Sequence, residues 1–143
     1  MKTLQQLLNI KKHKEVISIA PYRPVFDALV VMAEYKIGAL LVIEGDKLVG
    51  VFSERDYARE VILKGKSSKT TQISDVMTNE VLTAQPSDTV EYAMTMMTDK
   101  HIRHLPVLDN GKVVGVLSIG DLVKETITYQ QDLIKQLESY IKS

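Results

Sequence analysis

The stretch Gly115-Val116-Leu117-Ser118-Ile119-Gly120-Asp121 repeats, 65 positions on, what the chain has already spelled as Gly50-Val51-Phe52-Ser53-Glu54-Arg55-Asp56. In each copy a β-rich run, Lys47 to Phe52 and Lys112 to Leu117, ends in Ser-x-x-Asp, and a helical pattern follows. A strand that hands over to a helix there presents a hydroxyl, a carboxylate and backbone N–H groups at one helix N-terminus. Such a corner can hold a sugar hydroxyl and a phosphate side by side. The same spelling is also a plain capping box, in which serine and acid satisfy the first N–H groups of the helix. For a single copy the cap is a sufficient account; duplication gives binding its weight.

Working outward, residues 16–60 lie on 81–125 without a gap. The identical pairs include Pro21/Pro86, Val25/Val90, Ala28/Ala93, Met32/Met97, Leu40/Leu105, Val42/Val107, Gly50/Gly115 and Glu60/Glu125. Most are apolar or glycine, as expected if both copies build one backbone and one core pattern. The pairs that pose a chemical question are Ser53/Ser118 and Asp56/Asp121.

Each half predicts the same order of elements. In the first, Val16 to Ile19 is a short strand, and Pro24 opens a helix to about Tyr35 with Val25, Ala28, Leu29 and Met32 inward. Ile37 to Glu44 is a near-continuous apolar strand, covered on both faces. A turn at Glu44 to Lys47 leads into the strand that delivers Ser53, and a helix runs from Glu54 to Leu63. Lys64 to Gln72 is polar and turn-rich, the linker between halves, read as a solvated loop. In the second half a short helix is expected near Ser74 to Met77, then a strand at Val81 to Thr83. A helix capped by Ser87 or Asp88 runs to Lys100, and Ile102 to Leu108 is a strand in which Pro106 suits an edge or a strand start. Asp109-Asn110-Gly111-Lys112 is a hairpin turn. Leu4, Leu7 and Leu8 make the leader a short amphipathic helix. Leu133, Ile134, Leu137, Tyr140 and Ile141 put an apolar stripe on the C-terminal helix, which must meet the body, a second copy or a partner.

Composition narrows the function classes. Of 143 residues, 45% are hydrophobic and 25% charged, the range of a soluble globular protein. Lys plus Arg (18) equals Asp plus Glu (18), so no net field favours nucleic acid or an acidic membrane. Cysteine is absent, which removes disulfides, thiol chemistry and Cys-ligated metals, and a reducing, cytoplasmic location is the default. No apolar run approaches a membrane span, and the start lacks the apolar core of a secretory signal. His101 and His104 lack Cys or acidic partners at ligand spacing, so no metal is expected. No nucleophile–base set, P-loop or Gly-x-Gly-x-x-Gly is present, and no enzyme is expected.

The pattern per half, with Gly-h-x-Ser-x-x-Asp in both copies and Ile102-Arg103-His104-Leu105-Pro106-Val107 in the second, closely resembles the cystathionine-β-synthase (CBS) domain family, present as a tandem pair. Glu54-Arg55-Asp56-Tyr57-Ala58-Arg59 followed by Lys64 to Lys69 is similar to small stand-alone bacterial CBS pairs. The resemblance implies an α/β (α+β) fold: two βαββα repeats packed about a pseudo-two-fold axis, with an N-terminal leader and a C-terminal helix. The expected divisions are leader 1–15, repeat one 16–64, linker 65–77, repeat two 78–126 and C-terminal amphipathic helix 127–143. It also implies two clefts that bind adenine nucleotides, AMP foremost, with ATP, NAD(H) or S-adenosylmethionine as alternatives, and a homodimer that signals to a partner protein.

By that resemblance, one cleft combines Ser53, Arg55 and Asp56 with Thr83 and the run His101, Ile102, Arg103, His104, Leu105 and Pro106. Asp56 would hold ribose; Thr83 and strand backbone would meet adenine; Arg55, Arg103 and His104 would meet phosphate. The other combines Ser118 and Asp121 with Ser18, Ala20, Tyr22, Lys36, Ile37, Gly38, Ala39 and Leu40. With Gly120 in place of Arg55 it has fewer cations, which Lys36, Arg23 or Arg59 would have to supply. The alternative is a structural or interaction module in which both serines serve only as caps.

Overall fold

The computed structural model describes residues 2–11 and 15–142. They form two compact units. The first-repeat unit holds residues 16–81 with 111–113; the second-repeat unit holds 2–11, 15, 82–110 and 114–142.

In the first-repeat unit, β1 (Ser18–Ile19), β2 (Ala39–Glu44) and β3 (Lys47–Ser53) make one sheet in that order. β1 runs parallel to β2, with Ser18 opposite Leu41, and β2 runs antiparallel to β3, with Ala39 opposite Ser53. β2 carries three consecutive buried residues, Leu40 to Val42, as its apolar run predicts. Helix α2 (Val25–Tyr35) lays Val25, Ala28 and Met32 into a core shared with Phe52, Val61, Ile73 and Val76. Pro24 is its N-cap rather than its first turn, and Lys36 closes it in the left-handed region at φ 56°. The helix expected over Glu54 to Leu63 is α3 (Glu54–Tyr57) continued by a π turn, Ala58–Ile62, within which Val61 is fully buried.

In the second-repeat unit, α4 (Val90–Lys100) and the start of α5 (Ile119–Lys142) flank the hairpin of β4 (His104–Asp109) and β5 (Lys112–Ser118). Asn110 and Gly111 turn that hairpin with φ of 52° and 82°. These are the two left-handed residues that a type I′ turn requires, and the reason for Asn-Gly there.

Two further expectations need correction. Val81 to Thr83 is not a strand; Ala84 alone pairs with Val107, its N–H donating to Pro106 O (3.0 Å) and its carbonyl accepting from Leu108 N–H (2.8 Å). Neither Ser87 nor Asp88 caps α4. Thr89 does, accepting from Tyr92 N–H at 3.1 Å, because Asp88 already takes the N–H of Gln85 at 2.8 Å. Pro106 lies inside β4, where its missing N–H costs no pairing and its carbonyl serves Ala84.

The leader is part of the second repeat's core. Thr3 and Gln6 form a capping box on α1 (Leu4–Ile10), and Leu4, Leu7 and Leu8 bury against Val90, Ala93, Leu105 and Leu117. Backbone bonds fix it: Leu4 N–H to Asp88 O (2.8 Å), Gln5 N–H to Pro86 O (3.0 Å) and Val90 N–H to Lys2 O (3.1 Å). The linker does the same for the first repeat. Ile73 N–H reaches Arg23 O (3.0 Å), Ser74 N–H reaches Pro21 O (2.8 Å) and Val25 N–H reaches Thr71 O (2.8 Å). Leu4, Leu7 and Leu8 thus correspond to Ile73, Val76 and Met77, all with buried or partly buried side chains.

That correspondence accounts for Gly50/Gly115. A Cβ on Gly115 would lie 2.5 Å from Leu8 Cδ2, and one on Gly50 would lie 2.6 Å from Met77 Sδ and 2.8 Å from Thr78 O. Close approach to the Thr78 backbone requires glycine at Gly50, whereas a Cβ at Gly115 would need the Leu8 side chain to shift.

Candidate nucleotide-binding corners

Each Ser-x-x-Asp corner sits where a buried strand gives way to a helix. In the first-repeat unit, Phe52 is fully buried, which fixes β3 and turns Ser53 outward at extended φ and ψ as the N-cap of α3. Asp56 N–H donates to Ser53 Oγ (3.1 Å). Asp56 Oδ2 accepts from both Ser53 N–H and Ser53 Oγ at 3.0 Å, and Oδ1 accepts from the Thr78 hydroxyl at 3.1 Å. Glu54 N–H donates to Gly38 O at 3.0 Å, which brings the start of β2 against this corner. Arg55 is exposed beside it.

In the second-repeat unit, buried Leu117 does the same for Ser118. Asp121 N–H donates to Ser118 Oγ (3.1 Å) and Asp121 Oδ2 accepts from Ser118 N–H (2.8 Å). Ile119 N–H donates to Arg103 O at 2.8 Å, so the Arg103-His104 strand start abuts this corner. Here the leader adds a cation. Lys11 Nζ lies 2.9 Å from Asp121 Oδ2 and donates to Val116 O at 2.6 Å.

The electrostatics of this corner follow from those contacts. Burial, the largest single influence, would raise the Asp121 carboxyl, but the Ser118 N–H and hydroxyl and the Lys11 ammonium together hold it below its ordinary value. Desolvation lowers His104, helped by the Lys11 and Arg103 charges, against the opposing pull of Asp121. The ring is therefore biased towards its neutral form.

Each unit thus brings together its own motif and its own strand start. Ser53, Asp56, Gly38 and Ala39 meet in one; Ser118, Asp121 and the Arg103 backbone meet in the other, with His104 next along the chain at the start of β4. Leu40 and Leu105 are core side chains, so only their backbone groups could serve a ligand. Lys36 and His101 are the left-handed C-caps of α2 and α4, with exposed side chains. Ser18 and Tyr22 are exposed, while Thr83, Ala20, Ile37 and Ile102 are half-buried and Pro106 is buried. Among the described residues no three His, Cys, Asp or Glu side chains cluster as metal ligands. Lys11 and Thr78 were not anticipated from sequence. The signal that could have found them is the matching apolar spacing of Leu4-x-x-Leu7-Leu8 and Ile73-x-x-Val76-Met77, which sets the two segments in one role.

Comparison with known proteins agrees with this architecture. The CBS domain family model matches residues 10–63 and again 73–127. A CBS domain-containing protein, CBSX3, mitochondrial, of Arabidopsis thaliana is 39% identical over 123 residues, covering 82% of this chain and 60% of the relative. A signal-transduction protein with CBS domains, termed putative, from Burkholderia ambifaria superposes with TM-score 0.82 at 44% identity, over 89% of this chain and 95% of that one. A CBS domain pair solved with 5′-methylthioadenosine and S-adenosyl-L-methionine shares the fold at TM-score 0.75 and 22% identity, over 90% and 98% of the two chains. The chain therefore belongs to the CBS-domain family and carries the domain twice in tandem.

Proposed function

We propose that this CBS pair is a regulatory module that binds adenine nucleotides, AMP first and ATP or NAD(H) as alternatives, and reports their level to a partner protein. The observation that carries it is the preorganised carboxylate present twice, each held by its own serine at a helix start. An ionised carboxylate can accept from both hydroxyls of a ribose, while the helix N–H groups and nearby cations suit phosphate. The solved CBS pair that holds two adenosine compounds supports the ligand class.

We group the site residues by unit. Asp56 works with Ser53, Arg55, Ser18, Ala20, Tyr22 and the strand from Lys36 to Leu40. Asp121 works with Ser118, Thr83 and the strand from His101 to Pro106. This differs from a pairing of Asp56 with Arg103 and His104, and the bonds Glu54 N–H to Gly38 O and Ile119 N–H to Arg103 O support it. Calorimetry with AMP, ATP, NAD(H) and S-adenosylmethionine tests the reading. Binding that Asp56→Ala and Asp121→Ala both leave intact would sink it.

A second reading, an interaction module with no physiological nucleotide, is favoured by one fact: both corners complete a capping box from within. It predicts no nucleotide-dependent rise in melting temperature, whereas a ligand at a hundredfold its Kd adds about 2.7 kcal/mol. Either way we propose a cytoplasmic homodimer, since α5 leaves Leu133 (42%), Ile134 (54%) and Leu137 (54%) exposed. A monomeric mass by light scattering at micromolar concentration would refute it. Among the described residues no helix is long and apolar enough to cross a membrane.

A further inference from the structure

The Asp121 motif has no cation of its own, because Gly120 stands where Arg55 stands in the first copy. The fold imports one. Lys11 reaches the corner from the end of α1, with its side chain only 22% exposed and its ammonium on Asp121 Oδ2 and Val116 O. An ammonium has three N–H groups, and these two acceptors use two of them. Oδ2 faces Lys11 and accepts from Ser118 N–H, while Asp121 Oδ1 accepts from no described residue.

Among the described residues the third Lys11 N–H and Asp121 Oδ1 are left over, and they are complementary to the two ends of a nucleotide. Oδ1 can take the ribose hydroxyls, and the third Lys11 N–H can take an anionic oxygen near them. Arg103, whose carbonyl accepts from Ile119 N–H beside this corner, adds a second positive charge, and the neutral His104 ring can still donate one N–H; together they suit a phosphomonoester. The first corner contrasts with this. There the neutral Thr78 hydroxyl holds Asp56 Oδ1, Glu54 lies beside Gly38, and Arg55 is the cation of the motif.

Resting on the adenine-nucleotide reading above, we propose that Lys11 is the residue that sets ligand class at the Asp121 site. It orients the carboxylate for ribose and selects a 5′-phosphorylated nucleoside over the uncharged nucleoside. The leader is then part of the binding site of the second repeat as well as of its core.

The test uses the full chain with Asp56→Ala, so that calorimetry reports the Asp121 site, and titrates AMP and adenosine in parallel. Adding Lys11→Met keeps the apolar stem and removes the charge; adding Lys11→Arg keeps the charge. The expected result is AMP binding weaker by about tenfold or more in Lys11→Met, adenosine changed less than about threefold, and the AMP preference retained in Lys11→Arg. A melting curve of Lys11→Met, cooperative like that of Lys11→Arg, separates lost recognition from lost folding. Equal losses for both ligands, or an unchanged AMP affinity, overturn the role of Lys11 and leave the nucleotide reading standing. Binding by the wild type but by no Asp56→Ala protein also overturns it, assigning the nucleotide to the first corner. No binding of any adenine compound to the wild type removes both.

Discussion

At the scale of single residues, groups that touch no core decide the chemistry. His104 is the clearest. Its folded pKa lies below the ordinary 6.5, chiefly through desolvation and then through Lys11. A depressed histidine binds protons more readily when unfolded, so stability falls as pH drops through 6.5 towards the folded value and is unaffected above it. Urea unfolding at about pH 7.5 and 5.5 should show a larger loss in the wild type than in His104→Gln. Asp121 acts in the acid range with the other sign. Its stabilisation is present above the ordinary 3.8 and is lost as pH falls through the lower folded value. Lys36 and His101 make a second residue-scale case. Both are non-glycine residues in the left-handed region, at φ 56° and 55°, on helix C-caps where glycine is the relaxed choice. Lys36→Gly and His101→Gly should each gain about 0.5–1 kcal/mol in chemical denaturation. If these side chains serve a ligand, the same variants should lose affinity while gaining stability, a split that pure capping would not produce.

At the scale of elements, what was legible in the sequence followed from period and turn chemistry. The 3.6-residue spacing of Val25, Ala28 and Met32 gives α2, and Asn110-Gly111 gives the hairpin. The ungapped 65-residue shift puts both Ser-x-x-Asp corners at helix starts, as found. What was not legible required knowing a neighbour. The failed strand at Val81 to Thr83 has strand-like residues but a bonding partner for Ala84 alone. Thr89 wins the cap from Asp88 only because the N–H of Gln85 claims the carboxylate. Lys11 could not be assigned because α1 shows an apolar face without saying what it covers. The leader and the linker align at a shift of 69 (Leu4 to Ile73), four more than the repeats, so an ungapped comparison passes over them. The glycines facing these segments give a quantitative check. Gly50→Ala would push Cβ into the Thr78 carbonyl, backbone that cannot swing aside, and should cost about 1–3 kcal/mol by denaturant titration. Gly115→Ala meets only the Leu8 side chain and should cost less. The reverse order would mean that Leu8 is held more rigidly than the linker backbone.

At the scale of the whole molecule, the duplicated sequence and the folded units have different boundaries. The first repeat is followed in the chain by the segment that completes its core, since Ile73 is fully buried there and Val76 nearly so. The second repeat is completed by a segment from the other end of the chain, with Leu4 fully buried and Leu7 and Leu8 nearly so. Lys2 adds a pair with Glu125, whose side chain is 3% exposed and whose carboxylate is bonded at 2.7 Å. Losing three buried leucines at about 2–5 kcal/mol each is comparable to the roughly 5–15 kcal/mol that holds a typical domain folded. Removing Lys2 also leaves a buried carboxylate unpaired, which is costly in itself. The two repeats should therefore behave unequally when separated. A fragment of residues 16–81 carries its own cover and should unfold cooperatively by circular dichroism. A fragment of residues 82–142 should not, until residues 2–11 are joined back through a flexible linker. Cooperative unfolding of 82–142 alone would show that the leader is dispensable to that core. If only the rejoined fragment folds, the leader of this chain is a structural part of its second repeat.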